Sequence, residues 1–148
     1  MKWRTMLAGA CASALLLVAA SSMAVADVRI VGDPGGEVSS YIHKYEQIRD
    51  AGEHVVIDGP CLSACTLVTG LVAHDHICVT QRAVLGFHAA SYYDDVSRSL
   101  VPTRRGSRLV MSYYPPSIRH WIDRHGGLTP HLIRLRGHEL ASLYDSCQ

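Results

Sequence analysis

The order of apolar segments predicts one α/β domain with parallel strand pairing. Short apolar runs alternate with stretches of helical periodicity along the chain. That strand–helix–strand–helix–strand order is what right-handed parallel crossovers require. Excluding a leader at its start, the 148-residue chain is long enough for a single core.

The elements follow in order. Val28-Arg29-Ile30-Val31 reads as a short buried strand, and Asp33-Pro34-Gly35-Gly36 as a tight turn. Val38, Tyr41, Ile42, Tyr45 and Ile48 then recur at helical spacing, and Ala51-Gly52 closes that helix. Residues 54–57 form the second strand, ending in Gly59-Pro60. A second helix is expected from Ser63 to about Leu71, with Leu67, Val68 and Leu71 on its apolar side. Residues 77–79 and 83–87 are strands joined by a Thr80-Gln81 turn. Residues 89–110 are polar and aperiodic, and read as a long surface loop. Pro116 opens a helix through Ile118, Trp121 and Ile122, stopped by Gly126-Gly127. Thr129-Pro130 opens another expected helix, through Leu132, Ile133 and Leu135, broken at Gly137. Residues 139–144 read as a last helical turn or two.

Residues 1–26 have the form of a removable export signal. Lys2 and Arg4 precede an apolar run on Leu15-Leu16-Leu17-Val18, and Ala24-Val25-Ala26 stands before Asp27. The run is short for a membrane anchor, and Cys11 precedes the leucines rather than following them, unlike a lipoprotein signal. The domain is therefore expected at residues 27–148, in the periplasm or outside the cell, with no membrane contact after cleavage. Lys and Arg number 14 against 13 Asp and Glu, so no basic field argues for nucleic acid. Arg104-Arg105-Gly106-Ser107-Arg108 reads as a solvated loop.

Four cysteines follow the leader: Cys61, Cys65, Cys78 and Cys147. An even count in an exported chain implies two disulfides rather than free thiols. Three pairings are open, and the sequence does not choose among them. The spacing of Cys61 and Cys65 permits a local bridge across a distorted first turn, which would leave Cys78 with Cys147. The nine histidines match no common zinc spacing, and no metal or cofactor is expected.

Chemistry concentrates at Gly59-Pro60-Cys61-Leu62-Ser63-Ala64-Cys65. Taken locally, Ser63 reads first as a helix N-cap. It also places a hydroxyl at a helix start, where N–H groups favour developing negative charge. Pro34-Gly35-Gly36 lies at an earlier helix start, and His88 ends a later strand. Active sites in open parallel sheets gather at the carboxyl ends of strands, so these three are expected to meet.

Pro34-Gly35-Gly36-x-Val38, then Gly59-x-x-x-Ser63, then His88, is similar in order and spacing to the proteolytic subunit of Clp protease. His125-Gly126-Gly127-Leu128-Thr129-Pro130 resembles that family's segment before its third catalytic residue. The Cys-x-Ser-Ala-Cys form behind an export signal looks like a group of exported Clp-protease-like proteins. The resemblance covers about residues 28–139 and implies a crotonase-like ββα spiral, lacking the family's N-terminal strands. It implies Ser63 as nucleophile, His88 as general base, and the N–H groups of Gly36 and Ala64 as oxyanion hole. It also implies peptide or acyl substrates and assembly into an oligomer. A third catalytic residue is expected near Leu140; Glu139 is the nearest carboxylate and equally reads as an exposed helix-face charge, with Asp145 behind it. Export would separate the chain from any ATP-driven unfoldase. A silent exported domain that keeps the fold for binding or assembly is the alternative function. A thiol redox protein built on Cys61 and Cys65 is a third.

Overall fold

Three times the chain crosses from one sheet to a second, and each crossing leads on to a helix. The computed structural model describes residues 27–147; the expected export signal lies outside them. In the first crossing, β1 (Val28–Ile30) belongs to one sheet, and Asp33 bridges in parallel to Cys61 in the other before α1 (Val38–Asp50). In the second, β2 (Val55–Ile57) and β3 (Pro60–Leu62) lie in different sheets; a 3₁₀ segment, Ser63–Leu67, and a short helix, α2 (Val68–Leu71), follow. In the third, β4 (Ile77–Val79) and β5 (Val84–Phe87) again lie in different sheets, and a hairpin intervenes before the helix. The architecture is mixed α/β, with three sheets among the described residues.

Sheet one has the order β1-β2-β4-β9, all parallel, where β9 is Asp145–Ser146. Its central strands β2 and β4 read as apolar runs rather than alternating ones, while β1 carries the exposed Arg29 and β9 is polar. Val55 and Ile57 are fully buried, and Tyr45 and Ile48 of α1 pack into the same core. Sheet two pairs β3 with β5 in parallel, Leu62 opposite Gly86. Ser63 and His88 therefore leave the sheet at the same end. The disulfide Cys78–Cys147 ties β4 to the segment following β9.

Asp58, 5 % exposed, stands where the second crossing leaves β2. It accepts from Arg29 Nη1 at 2.8 Å, Thr80 Oγ1 at 2.7 Å and Arg82 Nε at 3.1 Å. Those partners come from the first and third crossings, so one carboxylate joins all three. The Arg82 bonds, with Thr80 and Arg29, hold its carboxyl well below the usual carboxylate range against the opposing effect of burial.

Three expected elements differ. The helix expected from Ser63 begins later: β3 runs to Leu62, a 3₁₀ segment follows, and only Val68–Leu71 is α-helical. The expected loop 89–110 holds an antiparallel hairpin, β6 (Ser91–Asp94) with β7 (Ser99–Pro102), and then α3 (Arg104–Tyr113). Its apolar residues Tyr92, Tyr93 and Leu100 are exposed, so no buried face imposes a readable alternation. The helix expected from Thr129 is instead β8 (Ile133–Arg136), antiparallel to β5. Ile133-Arg134-Leu135-Arg136 alternates, and sheet pairing puts Leu135 at zero exposure. The helix opened by Pro116 is α4 (Pro116–Arg124), and α5 (Gly137–Ala141) stands near the expected last turn. Among the described residues no helix is long and apolar enough to cross a membrane.

Candidate active site

Leu62 is extended, and the chain then turns at Ser63, whose φ is +55°. An L-residue in this left-handed region costs roughly 1–2 kcal/mol, and such strain persists only where the surroundings over-determine it. Ser63 is not the expected cap: Leu62 precedes the 3₁₀ segment, with no side-chain capping bond.

Three contacts hold the turn. The disulfide Cys61–Cys65 brackets Ser63, with its Cα atoms 5.3 Å apart. The Thr66 hydroxyl donates to the Ser63 carbonyl at 2.6 Å. Gly35, at φ +83°, lies so close that a methyl built on it would sit 2.6 Å from Ser63 Cβ and 2.5 Å from the Leu62 oxygen. The Pro-Gly-Gly turn is itself stitched to β3. Asp33 N–H donates to the Pro60 carbonyl at 2.8 Å, and Leu62 N–H donates to the Asp33 carbonyl at 2.9 Å. Gly35 N–H donates to Asp33 Oδ1 at 2.9 Å. Burial opposes ionisation of Asp33, yet the Tyr41 hydroxyl, Gly35 N–H and Lys44 hold its carboxyl below the ordinary range.

This stitching brings the glycine turn beside the serine turn. Among the described residues, Gly36 N–H donates to no backbone or side-chain acceptor. Ala64 N–H, second in the 3₁₀ segment, is one of the donors that a helix start leaves without an internal partner.

His88 follows β5. Its Nδ1 lies 2.8 Å from the Ala89 carbonyl. A carbonyl only accepts, so Nδ1 carries a proton, and in the neutral imidazole the lone pair is on Nε2. Ala89 N–H in turn donates to the Thr129 carbonyl at 2.7 Å, which fixes the segment.

Ser63, Ala64, Gly36 and His88 all border one cavity of about 380 Å³. Val38, Ile42, Leu109 and Val110 form its apolar side. Among the described residues no hydrogen bond joins the Ser63 hydroxyl to His88, and no carboxylate bonds the His88 ring. Glu139, on α5, faces a separate cleft with Ser117, His120 and Arg124. Asp145, at the start of β9, borders another with His54 and His76. The fold thus gathers four of the expected site residues and leaves the two carboxylates elsewhere.

No protein-family model matches this sequence, and comparison with curated proteins gives no match.

Two residues of the site escape sequence reasoning. Thr66 and Tyr114 are buried, and Tyr114 OH lies 2.6 Å from Thr66 Oγ1. Thr66 had a local signal, since a hydroxyl three residues after a turn commonly bonds back to it. Tyr114 had none. Its burial pushes the phenol up to about 12, so it stays neutral. Cys61 and Cys65 have no solvent exposure, which is unlike the accessible, reactive cysteines of thiol exchange.

Proposed function

We propose that this chain is a serine hydrolase of peptide or other acyl substrates, working outside the cytoplasm. Ser63 is the nucleophile and His88 the general base. One observation carries the reading: a serine held at φ +55° opens on a cavity that His88, Gly36 and Ala64 also border. Nε2 of His88 takes the Ser63 proton as Oγ attacks the acyl carbon. The N–H groups of Gly36 and Ala64 receive the negative charge that builds on the acyl oxygen. The Ala89 carbonyl sets the imidazole tautomer, the task a carboxylate performs in a triad. The apolar wall suits an apolar acyl portion.

The three crossings, each a strand in sheet one, a strand or bridge in sheet two and then a helix, the third with a hairpin inserted before its helix, support a crotonase-like spiral resembling the proteolytic subunit of Clp protease. The two disulfides and the form of residues 1–26 support an exported protein.

A serine-directed fluorophosphonate tests the activity. Mature protein is expected to take one label on Ser63, and Ser63→Ala none. An unlabelled wild type, or equal labelling of Ser63→Ala, overturns the hydrolase reading. It favours instead a silent binding domain, the reading to which the missing Ser63–His88 hydrogen bond points.

A further inference from the structure

We infer that Thr66 and Tyr114 are positioning residues that hold the Ser63 turn and set its spacing from His88. The inference rests on the hydrolase reading.

Proton bookkeeping gives the relay a direction. The Thr66 hydroxyl has one proton, and it goes to the Ser63 carbonyl at 2.6 Å. Tyr114 must then donate to Thr66 Oγ1, and its phenol is neutral and able to do so. The relay therefore runs from Tyr114 through Thr66 to the carbonyl of the strained serine. Thr66 has no exposure and Tyr114 2 %, so water does not compete for the bond between them.

Tyr114 also reaches the other half of the site. Its ring meets Phe87 edge-on, with centroids 5.3 Å apart and planes at 88°. Phe87 is the last residue of β5 and immediately precedes His88. One side chain thus bonds toward the nucleophile and packs against the strand that delivers the base. Arg119 Nη1 donates to the Tyr114 carbonyl at 3.0 Å, which fixes Tyr114 between α3 and α4.

Isosteric variants separate positioning from stability. Thr66→Val keeps the volume, removes the relay and strands the Tyr114 hydroxyl, so it is expected to lower the thermal midpoint. Thr66→Val combined with Tyr114→Phe removes both hydroxyls together and leaves only the Ser63 carbonyl without its donor. The double variant is therefore expected to regain the part of the midpoint that the stranded Tyr114 hydroxyl costs. Its fluorophosphonate labelling at saturating probe should stay about tenfold slow, equal to about 1.4 kcal/mol, with half-saturation unchanged. Thr66→Ser keeps the hydroxyl and should label within about twofold of wild type. Wild-type labelling rates in the double variant overturn the inference.

A second readout needs no activity. The ¹³Cα and ¹³Cβ shifts of Ser63 report its backbone conformation. They should move in Thr66→Val and in the double variant, and stay in Thr66→Ser. An unlabelled wild type ends the hydrolase reading, and unmoved shifts end the positioning role.

Discussion

Gly35→Ala is expected to damage fold and site together. Gly35 has φ +83°, and an added Cβ would lie 2.5 Å from the Leu62 oxygen, 2.6 Å from Ser63 Cβ and 2.9 Å from Ala64 N. Two of these atoms are backbone and the third is the Cβ of a buttressed turn, so no side-chain tip can swing away. The left-handed conformation costs an alanine roughly 1–2 kcal/mol, and forcing a methyl into a packed contact roughly 1–3 kcal/mol. Reduced freedom of the unfolded chain returns about 0.4–1 kcal/mol. The net loss is about 3 kcal/mol, and the thermal midpoint should fall by roughly 10 °C. Gly52→Ala is the internal control: φ is +67°, and no atom lies within 4 Å of the added methyl. It should cost only about 1 kcal/mol. Thermal and denaturant unfolding of both variants gives the comparison. Equal losses for Gly35→Ala and Gly52→Ala would refute the close approach of the glycine turn to Ser63. Labelling of Ser63 should also fall in Gly35→Ala, and not in Gly52→Ala.

The two disulfides should differ in weight. By the chain-entropy relation, the bridge spanning 69 positions is worth about 4 kcal/mol and the bridge spanning 4 about 2 kcal/mol. Denaturant titration of the Cys78→Ala/Cys147→Ala and Cys61→Ala/Cys65→Ala pairs tests this; a reversed order contradicts it. Asp58 makes stability depend on acid. Its folded pKa is lowered, so its contribution is complete above the ordinary carboxylate value of about 4 and is lost as pH falls below that. Asp58→Asn should be less stable at neutral pH and show a shallower loss on acidification; an unchanged acid limb argues against the three-crossing clamp. Tyr45→Phe removes a hydroxyl that donates to the Cys65 carbonyl at 2.9 Å inside the core, and should cost about 1–3 kcal/mol in denaturant unfolding.

Local patterns were legible where a single buried face imposed them. The stripe Val38, Tyr41, Ile42, Tyr45 and Ile48 marks α1 because that face meets the core, and Ala51-Gly52 ends it as expected. Strands β2, β4 and β5 were legible because strands buried within the fold demand apolar runs. Residues 129–136 were not. Leu132, Ile133 and Leu135 suit a helix face, while Ile133-Arg134-Leu135-Arg136 suits a strand, and only pairing with distant β5 decides between them. Glu139, expected from the family resemblance alone, stands on α5 beside a separate cleft. Asp58 was silent in sequence, because its partners come from β1 (Arg29) and from the β4–β5 turn (Thr80 and Arg82), both distant along the chain.

For Ser63, sequence alone supplied a hydroxyl at a strand-to-helix turn, two flanking cysteines, and the order in which Gly36 and His88 occur. Those are properties of residue type and spacing. The tertiary structure decided that Ser63 is strained rather than capping, that Cys61 bridges Cys65, and that four residues share one cavity. No local propensity favours φ +55° for serine. That conformation exists because a glycine backbone, a disulfide and a buried hydroxyl relay converge on it from separate elements of the fold.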